Sequence, residues 1–337
     1  MDTIAIYTGD LIIYWSSIVI CLGVAAWFFL SLAVYSPNGG RSAAMWVFLP
    51  IACILATFFS RVIHWYCHAE QYTGFASAFK DFSIGSYCMP GVFLGVTLAV
   101  LLVRLLRLSE SAPRMFDALA PGAALGLAII RLSSLFNNAD LGKVIVTTPA
   151  FQRLPIAAAL HSSSGAEEYH FATFFVQFLL LLVLTALMLA FYYRRGKVRM
   201  KSGSNRGHTA LMFLLFYSAM EIVLDSTRYD SSFLRSNGFV SLVQIVSAVS
   251  MLGVLVYYSV HSIRANGLKF YHWIFWVVFL GSAGGVGYLE YLVQRHGDWY
   301  LKCYGGMSVC CLVMAMMVYG CYLTVCVRRK KKSAYDY

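Results

Sequence analysis

The chain has 337 residues, of which 60% are hydrophobic and only 12% charged. Soluble domains carry about 25% charged residues, so this composition excludes an ordinary water-soluble fold. The formal net charge of +11 sits in a few short stretches, which excludes an extended basic face for nucleic acid and assigns the charge to membrane topology and anionic-lipid contact.

Taken in order, apolar segments long enough for a hydrocarbon core of about 30 Å run through residues 11–35, 45–66, 84–103, 116–136, 171–193, 207–226, 238–260, 270–294 and 303–327. Backbone polar groups in lipid must bond internally. The pattern therefore predicts an all-α polytopic membrane protein of about nine helices. The first segment has no basic region before it and is too long for a signal-peptide core, so it reads as a retained span. Residues 67–83, 137–170 and 226–237 fall on one side and predict a small cap. The longest of them carries His161, Ser162, Ser163, Ser164, Glu167, Glu168 and His170. It shows no nucleophile-elbow pattern, so the serines read as a polar loop. The last two helices follow a short basic loop and read as an addition, with residues 1–265 as the core and 266–337 as the extra pair and tail.

Arg104, Arg107 and Arg114, then Arg194, Arg195, Lys197, Arg199, Lys201 and Arg206, then Arg328 through Lys332 all lie on one side if the spans alternate. The opposite side holds only Lys80, Lys143, Arg153, Arg228, Arg235, Arg295 and Lys302. The positive-inside rule then predicts an external amino terminus and a cytoplasmic carboxyl terminus. Nine cysteines include no CxxC pair and no zinc pattern, so no metal or cofactor is expected. Cys67 and Cys88 fall near the outer face, where a disulfide is possible, and the cysteines of the last helix read as small apolar residues. His64 and His68 share a helix face without a third ligand, and Gly281 and Gly285 make a small-residue face suited to close packing.

Ionisable groups within the apolar segments are costly and need partners. Arg61 interrupts FFSRVIHWY, Arg131 lies late in the fourth span, and Glu221 lies in the sixth with Asp225 one turn on and Arg228 just beyond. Asn137, Asn138 and Asp140 follow Arg131 at once. Two readings compete: a buried Arg–Glu pair that fixes packing, and a polar cavity near the outer leaflet that binds an anion. Guanidinium forks at that depth suit a phospholipid phosphate.

The stretch DALAPGAALGLAIIRLSSLFNNADLG, residues 117–142, resembles the signature of prolipoprotein diacylglyceryl transferases, with Asp117, Ala120, Pro121, Gly122, Gly126, Arg131, Phe136, Asn137 and Gly142 at matching offsets. IYWSS at 13–17, SRVIHWY at 60–66, GVFLGV at 91–96, TFFVQ at 173–177, then Glu221, Arg228, Asp230 and Gln244 continue the resemblance in the same order. It implies a bacterial cytoplasmic-membrane enzyme that moves the diacylglyceryl group of phosphatidylglycerol, or acts on another anionic phospholipid, onto the lipobox cysteine of a prolipoprotein signal peptide. It further implies that Arg131, Arg228 and Glu221 are catalytic, the arginines on phosphate and Glu221 paired with one of them. Arg61, Asn137, Gly142 and Gln244 would bind substrate.

The departures are specific. The family's histidine ahead of the third-span glycines is absent from Tyr87-Cys88-Met89-Pro90-Gly91. Ser16, Ser134, Tyr217 and Val176-Gln177 also stand where the family has other residues, and its Glu before the final glycine falls on Ala139, with Asp140 one place on. His64, His68, His161, His170, Tyr87 or Cys88 would have to supply the base. The alternatives are a member of the family that binds anionic phospholipid or a partner without transfer, and a transporter, which the lack of internal repeats disfavours.

Overall fold

In a computed structural model, the structure describes residues 3–8, 11–80, 87–137, 139–161, 167–199, 207–233, 238–297 and 299–335. Asn138, Ser162, Ser163, Ser164, Lys201, Arg206 and Arg235, all singled out above, lie outside the described residues, as does the side chain of His161. About 76% of what is described is helical. Among the described residues eight helices are long and apolar enough to cross a bilayer, and a shorter apolar helix spans Met89–Leu105. The protein is an all-α polytopic membrane protein.

In chain order the elements are β1 (Ile4–Thr8), β2 (Leu11–Tyr14), α1 (Trp15–Tyr35), α2 (Ser42–Cys67), α3 (Phe75–Lys80), α4 (Met89–Leu105) and α5 (Ala112–Arg131). A 3₁₀ turn at Leu132–Leu135 ends α5, followed by α6 (Pro149–Gln152), β3 (Ala157–His161), β4 (Glu167–Phe171), α7 (Thr173–Arg199), α8 (His208–Thr227), α9 (Leu242–Asn266), α10 (Phe270–His296) and α11 (Tyr300–Tyr335). The strands pair antiparallel as β1–β2 and β3–β4. The second hairpin lies inside the long polar segment that sequence alone left as a loop.

The chain divides into two compact units, Met1–Phe213 with Thr227–Asp230, and Leu214–Ser226 with Ser231–Tyr337. In the first, α1 and α7 pack along α5, and α2 packs along α4. Two glycine faces set these contacts. Gly122 and Gly126 on α5 meet Trp27, Ser31 and Gly23 of α1, and Gly91 and Gly95 on α4 meet Ser60 and Ala56 of α2. Lipid offers no hydrophobic drive between helices, so close backbone approach through small residues is the means of packing. Phe28, Tyr35, Phe48, Met115 and Tyr192 fill the core between these helices.

Asp117 does structural work here. Its carboxylate is fully buried and accepts from the backbone nitrogens of Gly207 at 2.6 Å, Thr209 at 2.7 Å and Ala210 at 3.1 Å. An acid on those orphan donors caps α8 and favours its positive end.

In the second unit α9 and α10 both pack along α11. Gly285 approaches Cys310 on α11, whereas Gly281 faces open space, so only part of the expected small-residue face is used. Cys67 and Cys88 are not joined by a disulfide.

An added Cβ at Gly95 would lie 2.4 Å from the Ala56 backbone nitrogen, while Gly253, mid-helix in α9, has nothing within 4 Å. Gly95→Ala is expected to lower the thermal unfolding temperature in detergent, by about 1–3 kcal/mol of stability. Gly253→Ala is expected to hold or raise it, as helix propensity alone dictates. Equal effects at the two positions would contradict the α2–α4 contact.

Candidate functional site

Arg131 ends α5, and the chain turns back within a few residues. Asn137 closes that turn by accepting from the Ala139 nitrogen at 3.0 Å. Asp140 follows in the left-handed region, at φ 55°, a conformation that aspartate tolerates better than most residues. The turn aims its carboxylate back at the arginine. Arg131 Nη1 donates to Asp140 Oδ2 at 2.8 Å, and Ser134 Oγ donates to the same oxygen at 3.0 Å. On the other side Arg228 Nε faces Asp140 Oδ1 at 3.4 Å. Arg228 Nη2 also donates to Gln177 Oε1, from the buried side of α7.

Backbone pairing holds Arg228 in place. Lys143 donates to Thr227 O at 2.8 Å, and Tyr229 donates to Leu141 O at 2.8 Å. Thr173 and Thr227 share a hydroxyl hydrogen bond of 3.0 Å. Gly142, between these contacts, donates to Phe171 O at 2.7 Å. A Cβ at Gly142 would sit 2.9 Å from both Phe171 Cβ and its carbonyl oxygen, so only glycine lets the strand pass. His170 on β4 donates from Nδ1 to Gly142 O at 3.0 Å. Its Nε2 lies 3.7 Å from Glu168 Oε2.

The side chains of Arg131 and Asp140 are only 8% and 15% exposed. Burial opposes ionisation of Asp140, but Arg131 and Arg228 outweigh it and hold the carboxyl well below the usual carboxylate range. Two guanidiniums face this one carboxylate in the buried cluster. Asp230, whose carboxylate accepts from the Asp140 nitrogen at 3.2 Å, sits on the exposed side, where solvent screens it. The cluster therefore has the guanidinium donors to hold a phosphate.

The structure brings Arg131, Arg228 and Gly142 together, with Asn137 shaping the turn between them. Arg61 is buried on α2, its Cζ 5.2 Å from the Tyr87 ring centroid, a cation–π contact. Glu221 and Gln244 belong to the second unit. Glu221 is fully buried in α8. Gln244 completes a capping box with Ser241 at the start of α9 and donates to Ile222 O at 3.1 Å. The carboxylate between Arg131 and Arg228 is Asp140. Asp140, Ser134 and Gln177 were not chosen as site residues, and His170 was one of six candidate bases, though polar Gln177 inside FFVQFLLL was a visible signal.

The sequence profile described as prolipoprotein diacylglyceryl transferase matches residues 3–260, which takes in this whole cluster. The chain belongs to the prolipoprotein diacylglyceryl transferase family. A phosphatidylglycerol–prolipoprotein diacylglyceryl transferase of Prochlorococcus marinus (strain MIT 9303) is 24% identical over 237 residues, 66% of this chain and 77% of that protein. The family match ends before α10 and α11.

The lowered carboxyl of Asp140 sets an acid limit. A group with a depressed folded pKa stabilises the fold fully above its unfolded value and loses that contribution as the pH falls towards the folded one. The stability gap between wild type and Asp140→Asn, read by thermal unfolding, is expected to be constant above about pH 5 and to narrow below about pH 4. A gap of unchanged size at about pH 3 would rule out the ion pair as its source.

Proposed function

We propose that the protein transfers the diacylglyceryl group of phosphatidylglycerol to the cysteine thiol of a prolipoprotein in the bacterial cytoplasmic membrane. The observation that carries this reading is the convergence of Arg131 and Arg228 on Asp140 in a buried cluster of a family member. In the reaction the thiol gives up its proton, and the thiolate sulfur attacks the glycerol carbon that bears the phosphoester. A carbon–sulfur bond forms, the carbon–oxygen bond breaks, and its electron pair leaves with glycerol phosphate. Negative charge builds on the departing phosphate, where preorganised guanidiniums stabilise it. Asp140 keeps both arginines aimed at one place.

The proton needs an acceptor, because the thiolate is the nucleophile. Among the candidates, His68 Nδ1 bonds to the His64 carbonyl of its own helix, and Tyr87 lies against Arg61. His170 alone of the described histidines bonds to Gly142, the residue paired with Arg228. A carbonyl only accepts, so the proton of neutral His170 is on Nδ1, and Nε2 holds the lone pair. His170 is the base in this reading.

A second reading has one observation behind it. The stretch Tyr87-Cys88-Met89-Pro90-Gly91 lacks the family histidine, which fits a protein that binds anionic phospholipid without transferring it.

Purified protein given labelled phosphatidylglycerol and a lipobox peptide separates the two. Thioether-linked peptide is expected from wild type, with Arg131→Ala or Arg228→Ala lowering turnover by about 10²–10³. His170→Gln is expected to lower it by about 10²–10⁴ with lipid binding retained. Lipid binding with no product from wild type would leave the second reading standing.

A further inference from the structure

The helices outside the family match hold a carboxylate that the transferase chemistry does not use. Glu290, five residues before the polar tripeptide Arg295-His296-Gly297 that ends α10, is only 2% exposed. Its Oε1 accepts from Gln294 Nε2 at 2.8 Å. Its Oε2 is buried and has no hydrogen-bond partner. Among the described residues no lysine, arginine or histidine lies at ion-pair distance from it. A buried carboxylate in an apolar span with one amide donor costs several kcal/mol unless something compensates it.

Two further oxygens lie in the same unit and the same neighbourhood. Tyr304 on α11 stands within electrostatic reach of Glu290, and its hydroxyl donates to the Ser226 carbonyl at 3.3 Å. That bond commits the Tyr304 hydrogen and leaves the lone pairs of the oxygen free to face another group. Ser226 Oγ, at the end of α8, is itself buried and has no hydrogen-bond partner. The result is one carboxylate oxygen and two hydroxyl oxygens, of which Glu290 Oε2 and Ser226 Oγ are buried and unsatisfied.

We propose that Glu290, Tyr304 and Ser226 form a binding site for a small monovalent cation such as sodium. The donor set is all oxygen, which suits a hard ion and not a soft transition metal. The charge fixes the valence: one carboxylate neutralises one positive charge, whereas a divalent ion would leave a net charge buried at membrane depth. The ion would tie α10 and α11 to the end of α8, the helix whose last residue adjoins Arg228 in the chain. This site is independent of the transfer reaction.

The full chain, purified in detergent, is unfolded thermally in sodium chloride and in N-methylglucamine chloride of equal ionic strength and pH. Sodium is expected to raise the midpoint saturably, by about 3–5 °C at roughly 100 times its Kd, and Glu290→Gln is expected to be indifferent to the exchange. Tyr304→Phe, which keeps the charge and removes one oxygen, is expected to move the sodium midpoint to at least about tenfold higher concentration. It serves equally if Glu290→Gln does not fold. Coincident curves for wild type in the two salts, a sodium response retained in Glu290→Gln, or an unchanged sodium midpoint in Tyr304→Phe would each overturn the proposal.

Discussion

An arginine in or at the end of an apolar span has to be compensated, and in this protein one carboxylate faces two of them. Asp140 lies between Arg131 and Arg228, and the surrounding turn exists to place it. The 3₁₀ turn after α5, the Asn137 side-chain bond and the left-handed backbone at position 140 bring the acid back over the end of the helix it has just left. A carboxylate shared by two cations holds both in one place. That arrangement fixes geometry as a structural ion pair does.

The rest of the first unit serves this placement. Glycine faces on α4 and α5 let helices approach closely where lipid gives no other reason to associate. Asp117 caps α8 from within α5. The β3–β4 hairpin lies alongside the segment around Gly142, and that segment pairs with the residues flanking Arg228. Several residues of the family signature are therefore packing and capping devices: Gly122 and Gly126 seat α1, Asp117 caps α8, and Gly142 gives Phe171 room.

Composition and hydropathy made the helical membrane class and most of the spans legible, because a span is a statement about length and apolarity alone. Arg131 and Arg228 were legible for the same reason, since charge in such segments stands out. The partner was not. Asp140 lies past the helix end, in a stretch whose fold depends on a turn that one-dimensional spacing does not encode. The family's glutamate position falls on Ala139, and the left-handed residue that follows is what lets an acid one place later reach the arginines. The β3–β4 hairpin was hidden likewise: its strands are five residues each and depend on pairing with one another, as short strands do. Gln244 matched a family position, and its side chain caps a helix.

The account rests on the two arginines forming one anion site, and direct lipid retention tests that most simply. Native mass spectrometry of the detergent-released protein, exchanged into mixed phosphatidylglycerol and phosphatidylcholine, counts which lipid stays bound. The wild type should retain phosphatidylglycerol in preference, and a combined Arg131→Gln, Arg228→Gln variant that keeps its helical spectrum should lose that preference. Retention of phosphatidylglycerol by the double variant at the wild-type level would contradict a shared phosphate site between Arg131 and Arg228.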